Sequence, residues 1–94
     1  MMKLSKLQKQ LKIIIKEEIK SNNLIVYCYD YVGWVTDPLH VYIECGGVVI
    51  SDNFPPEWTS DDLLALEKDG FLEKISHWQN PNFDEHYETT YRVY

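Results

Sequence analysis

Between Leu24 and Val32 the chain runs LIVYCYDYV, with a tyrosine at every second position from Tyr27 to Tyr31. Period two, together with this density of β-branched and aromatic residues, fits a strand whose side chains alternate between two faces. The alternate sets are Leu24, Val26 and Cys28 on one side and Ile25, Tyr27, Tyr29 and Tyr31 on the other. Neither set is polar, so both faces of the sheet this strand joins are expected to be at least partly covered.

Upstream the period changes. From Lys3 to about Ser21, Leu4, Leu7, Leu11, Ile14 and Ile15 recur at steps of three and four, with Lys9, Lys12, Lys16 and Lys20 on the opposite side. This is the pattern of an amphipathic helix, with Asn22 and Asn23 as stop residues. Downstream, Asp37 and Pro38 mark a reversal. HVYIECGGVVISD then supplies two short strands about Gly46-Gly47, either as a tight hairpin or as one strand kinked at a glycine bulge. After the connector NFPPEW, Thr59 with Asp62 three residues on forms a helix-start box. That helix runs to near Gly70, with Leu63, Leu64 and Leu66 as its apolar side. Phe71 to about Trp78 and His86 to Tyr94 flank the turn formers Asn80, Pro81 and Asn82. The order αβ(ββ)αββ predicts an α+β fold, a curved antiparallel sheet of four to five strands with two helices on one face.

Ninety-four residues suit one domain spanning 1–94, able to bury a single core. Lys12, Lys16, Glu17 and Glu18 interrupt Leu11–Ile19, which excludes a membrane span or signal-peptide core there and makes the cytoplasm the expected compartment. Cys28 and Cys45, in apolar strands and without CxxC spacing, are expected to be reduced and structural. Charge is divided. Residues 1–22 hold six lysines against Glu17 and Glu18, a net of +4; the rest holds three bases against 13 acids, a net of -10, in a chain of net charge -6. An acidic body repels phosphate, so nucleic acid is disfavoured as a partner except through helix 1.

The pattern L-x-x-L-E-x-x-G-F-L-E-x-I, followed by a loop and ETTYRVY, resembles the last helix and wing of winged-helix regulators of the MarR and PadR type. It covers about a third of the chain through Leu63, Leu66, Glu67, Gly70, Leu72, Tyr91 and Val93. The resemblance implies a winged-helix-like last third and, as an alternative function, nucleic-acid binding, for which basic helix 1 is the surface this chain offers. Two features depart from it. VISDNFPPEW is strand and loop where the first helix of a helix-turn-helix would stand. The turn that would enter the major groove carries Glu57, Asp61 and Asp62, and the wing loop carries Asp84 and Glu85.

Chemistry-bearing residues are few. His40, His77 and His86 with Cys28, Cys45 and scattered acids leave a small enzyme using Cys28 or a histidine as a further alternative, but no spacing joins them. HExxH, CxxC, GxSxG, the P-loop and GxGxxG are all missing from the sequence, and no cofactor or metal site is expected.

Aromatic distribution carries the main functional expectation. If Leu24, Val26, Cys28, Val41, Ile43, Cys45, Phe71, Ile75, Tyr87, Tyr91 and Val93 face the helices, Tyr27, Tyr29, Tyr31, Tyr42, Trp78 and Tyr94 share the other face. Tyrosine and tryptophan are enriched at protein interfaces, where a rigid ring gives area and keeps a polar tip. The expected function is therefore a small, acidic, non-enzymatic protein-binding module with a protein partner or a second copy on that face. One version inhibits a nucleic-acid-handling enzyme, as immunity and phage counter-defence proteins do, its carboxylates filling a basic channel.

Overall fold

The computed structural model describes residues 3–19, 23–31, 39–83 and 86–94, with backbone alone at Tyr31, Leu39 and His40. Helix α1 (Lys6–Glu18) starts three residues later than the leucine spacing suggests, because Ser5 caps it. Ser5 Oγ accepts from Gln8 N at 3.1 Å while Gln8 Oε1 accepts from Ser5 N at 2.9 Å, a reciprocal capping box. Strand β1 (Leu24–Tyr31) follows, then β2 (Leu39–Cys45) and the short β3 (Val48–Val49). Gly46 and Gly47, at φ 59° and 84°, make the two-residue hairpin turn between β2 and β3, a conformation that costs any other residue type Cβ strain. Of the two readings of this glycine pair, the hairpin is the one observed. Helix α1 ends at Glu18, with Ile19 already in extended backbone at φ -71° and ψ 138°, short of the stop expected at Asn22 and Asn23; the reversal expected at Asp37-Pro38 lies outside the described residues.

A 3-10 turn (Ser51–Asn53) leads to α2 (Ser60–Asp69), β4 (Leu72–Gln79) and β5 (His86–Val93). Ser51 is buried, and its hydroxyl accepts from Ile43 N at 3.1 Å, extending the β2 edge past the end of β3 with a side chain. Thr59 caps α2 with Asp62, whose Oδ2 accepts from Thr59 N at 2.9 Å, and Gly70 ends it at φ 90°.

The sheet is antiparallel, five-stranded and open, in the order β3-β2-β1-β5-β4. Both helices lie on one face. Leu11 and Ile15 of α1 and Leu63 and Leu66 of α2 meet Ile25, Tyr27, Ile43, Tyr91, Val93 and Leu72 in one core. Burial of each such side chain contributes about 1.5–3 kcal/mol before ordering entropy is set against it. On α2 the apolar side is Leu63, Ala65 and Leu66; Leu64 instead faces outward, 49% exposed, since a fourth consecutive helical position cannot share one stripe. The expected αβ(ββ)αββ order is present, and the last third is the expected helix followed by an antiparallel strand pair.

Candidate functional site

Register decides which residues share a face. In β1, Ile25 opposes Tyr91 and Tyr29 opposes Tyr87, and both β5 tyrosines lie on the helix-covered side. Ile25, Tyr27 and Tyr29 therefore face the helices, and Leu24, Val26 and Cys28 face away. This reverses the parity the sequence suggested for β1; on β2 and β5 the expected assignment of Val41, Ile43, Tyr91 and Val93 holds. The reason is area: Ile-Tyr-Tyr offers more surface to bury than Leu-Val-Cys, and the latter set runs on into Asp30. Parity is all or none, so one choice turns every side chain of the strand.

The six residues expected to form one aromatic face are consequently divided. Tyr27 is 6% exposed, and Tyr29 packs half-buried on the core. Tyr42 and Trp78 are on the open face, since Tyr42 opposes Cys28 and Trp78 opposes Glu88. Tyr94 follows β5, and its hydroxyl donates to Glu73 Oε1, the carboxylate that also holds Arg92 at 3.5 Å. The side chain of Tyr31 lies outside the described residues.

On the helix side, β1, β5 and β4 run past the start of α2 and leave an aromatic cleft. It consists of two adjoining cavities of about 310 and 290 Å³ that share Tyr27 and Ser60. Tyr29 and Tyr87, directly opposite on neighbouring strands, stack at 4.7 Å and 12°. Tyr27 meets Trp58 edge-on at 6.3 Å, and His77 lies 5.3 Å from Tyr87. His77 Nδ1 is 2.9 Å from the Thr89 hydroxyl. Burial pushes the Tyr27 phenol up to about 12, with Tyr87 adding to the shift and a hydrogen bond to Ser60 opposing it. Burial raises the Tyr87 phenol as well, so at neutral pH Tyr27 and Tyr87 are uncharged donors and acceptors.

Beyond His77 the cleft opens onto β4, the outermost strand. From Glu73 to Gln79 every residue of β4 is exposed, and no described strand pairs with its outer edge. A bulge interrupts it: Lys74 opposes Tyr91 and Ser76 opposes Thr90, leaving Ile75 as an extra residue, 40% exposed. Trp78 is 47% exposed, its ring edge-on to His86 at 5.1 Å. Sequence reasoning missed this edge, because strand order follows from pairing between distant segments; the one local signal was the run LEKISHWQ, free of proline and glycine.

The alternative chemistry is dispersed. Cys28 and Cys45 are both buried, outside any disulfide and on opposite faces. Burial, then Glu88 and Glu44, raise the Cys28 thiol to about 11, which opposes the thiolate a nucleophile needs. Among the described residues no three His, Cys, Asp or Glu side chains come together as metal ligands, and no helix is long and apolar enough to cross a membrane. On α1, Lys12 is engaged by its own fold, 3.3 Å from Asp69 and 5.3 Å from the centre of the Phe71 ring. No family model, curated protein or solved structure matches this chain.

Proposed function

We propose that this chain is a non-enzymatic protein-binding module that takes an extended segment of its partner along the outer edge of β4. The observation that carries this reading is an eight-residue edge strand, exposed from Glu73 onward and free of proline. Such an edge presents a row of N–H and C=O groups that natural proteins usually cover or shorten. In strand addition, main-chain hydrogen bonds supply affinity and alternate side chains supply specificity. Here one set of partner side chains would pass over Lys74 and His77 towards Leu64 and Tyr87 in the cleft, and the other would meet Trp78. Reduced, buried Cys28 and Cys45 suit a reducing compartment such as the cytoplasm. The acidic body, 13 acids against three bases outside the first 22 residues, favours partners with basic surfaces, among them the nucleic-acid channels that an inhibitor would fill.

The test is capture from the native host by immobilised wild type and by Ile75→Lys, followed by mass spectrometry. Ile75→Lys sets a second cation beside Lys74 and removes the exposed apolar side chain at the middle of the edge without entering the core, so a partner retained by wild type and lost by a folded Ile75→Lys is expected. A partner retained equally by both removes β4 from the interface. The second reading, nucleic-acid binding through α1, draws on exposed Lys6, Lys9 and Lys16.

A further inference from the structure

We propose that the occupant of the β4 edge is β4 of a second copy, the two strands running antiparallel about a two-fold axis. Leu72 lies opposite Gln79, Glu73 opposite Trp78, Lys74 opposite His77 and Ile75 opposite Ser76. This rests on the strand-addition reading and names its partner. Residues directly opposite in an antiparallel pair share a face. Along β4 the faces are fixed by β5: Leu72, Lys74, His77 and Gln79 oppose Val93, Tyr91, Thr89 and Tyr87 on the helix side, while Glu73, Ser76 and Trp78 oppose Arg92, Thr90 and Glu88 on the other. A regular strand of eight alternates strictly, so its two ends lie on opposite faces and full-length pairing with itself would set each residue against one of the wrong face. The extra residue Ile75 moves the second half by one place. On either side of the bulge the order of faces then reads the same from both ends, and the register above matches the faces of Leu72, Glu73 and Lys74 with those of Gln79, Trp78 and His77. A foreign strand has no use for that symmetry, whereas an isologous contact, which an unbulged strand of eight could make only over seven residues, gains its eighth pair from it.

Charge and apolar surface agree with this register. Glu73 and Lys74 are the only formal charges on β4, so the edge is neutral in a chain of net charge -6, and no like charges face each other across the axis. Ile75, 40% exposed, comes to the axis beside its own copy. Trp78 of each copy comes opposite Glu73 of the other, hence beside the Tyr94 ring that Glu73 holds; these rings are 47% and 58% exposed in the single chain. An edge of eight residues is about 27 Å long and, with side chains, about 10 Å deep, on the order of 300 Å² per copy. A standard interface buries about 800 Å² per partner, so the pairing is reversible and depends on concentration.

Sedimentation velocity of the full chain from micromolar to millimolar concentration is expected to shift from monomer to dimer, with Ile75→Lys, its fold checked by circular dichroism, remaining monomeric. Register is tested by cysteine pairs in oxidised glutathione. Lys74→Cys with His77→Cys should give a disulfide-linked dimer, and Lys74→Cys with Gln79→Cys should not. Three residues along a strand place their Cα atoms about 10 Å apart, too far for a bridge within one chain. A monomer at every concentration, a dimer that Ile75→Lys leaves intact, or linkage through the Gln79 pair instead overturns the proposal; if Ile75→Lys does not fold, the cysteine pairs decide alone. A monomer that still captures a host protein through β4 overturns the second copy and keeps strand addition. A chain that does neither overturns both.

Discussion

Tyr27 and Cys28 are neighbours pointing to opposite sides of β1, yet they are only 6% and 4% exposed. Both keep their protons far longer in the fold than in the unfolded chain: burial takes the thiol from 9.0 to about 11 and the phenol from 10.0 to about 12. Because the unfolded chain ionises first, their contribution to stability is complete below pH 9 and is lost as pH rises through about 11 and 12. Thermal melts against pH should fall across that window; a melting temperature that stays level from pH 9 to about 12 would contradict it. Thiol labelling should be slow in the native state and reach two per chain after unfolding. Tyr27→Ser is expected to lose roughly 3–5 kcal/mol, as large-to-small aromatic core changes do. Strand period was legible here and facing was not: LIVYCYDYV carries large apolar side chains on both sides, and the area that favours Ile25, Tyr27 and Tyr29 is completed only by Tyr87 and Tyr91, about sixty residues away.

At the scale of elements, one carboxamide ties the starts of the two helices together. Gln8 closes the α1 box through Oε1 and donates from Nε2 to Asp62 Oδ1 at 3.1 Å, while Asp62 Oδ2 closes the α2 box on Thr59. Asp62 is 8% exposed, so removing one partner leaves a polar group short of its bond at a cost of about 1–3 kcal/mol. Gln8→Ala and Asp62→Ala should each destabilise, and the double variant should fall short of their sum by roughly 0.5–3 kcal/mol in denaturant melts; strict additivity would mean the two boxes act separately. Half of this relay was written locally. Thr59, Asp62 and Gly70 announce α2 because caps depend on residues three or four apart. Ser5 does not stand out as a cap because the leucine spacing continues back to Leu4, and the link between helices needs the fold to bring positions 54 residues apart into contact. For the same reason the strand pair 72–93 could be read, but β4's place at the edge and β5's beside β1 could not.

Over the whole molecule, charge sets which partners can approach. The segment 1–22 is +4 and the remainder -10, but the fold spends part of the positive end on itself, since Lys12 is drawn to Asp69 and Phe71. Exposed Lys3, just ahead of α1, and Lys6, Lys9 and Lys16 on it remain. Four phosphate contacts would give a salt slope of roughly -4, so passing from about 50 to about 200 mM salt would cost some two decades of affinity before the repulsion of the acidic body is counted. Labelled duplex and single-stranded DNA and RNA should therefore show no saturable anisotropy change at physiological salt. Any binding at low salt should fall steeply with added salt and vanish in Lys9→Glu with Lys16→Glu, without changing capture through β4, because α1 and β4 are separate surfaces. The winged-helix reading makes the opposite demand: tight binding that persists at physiological salt and is abolished by that double substitution. Such a result would make nucleic acid the ligand and reduce the β4 edge to a crossing point between copies.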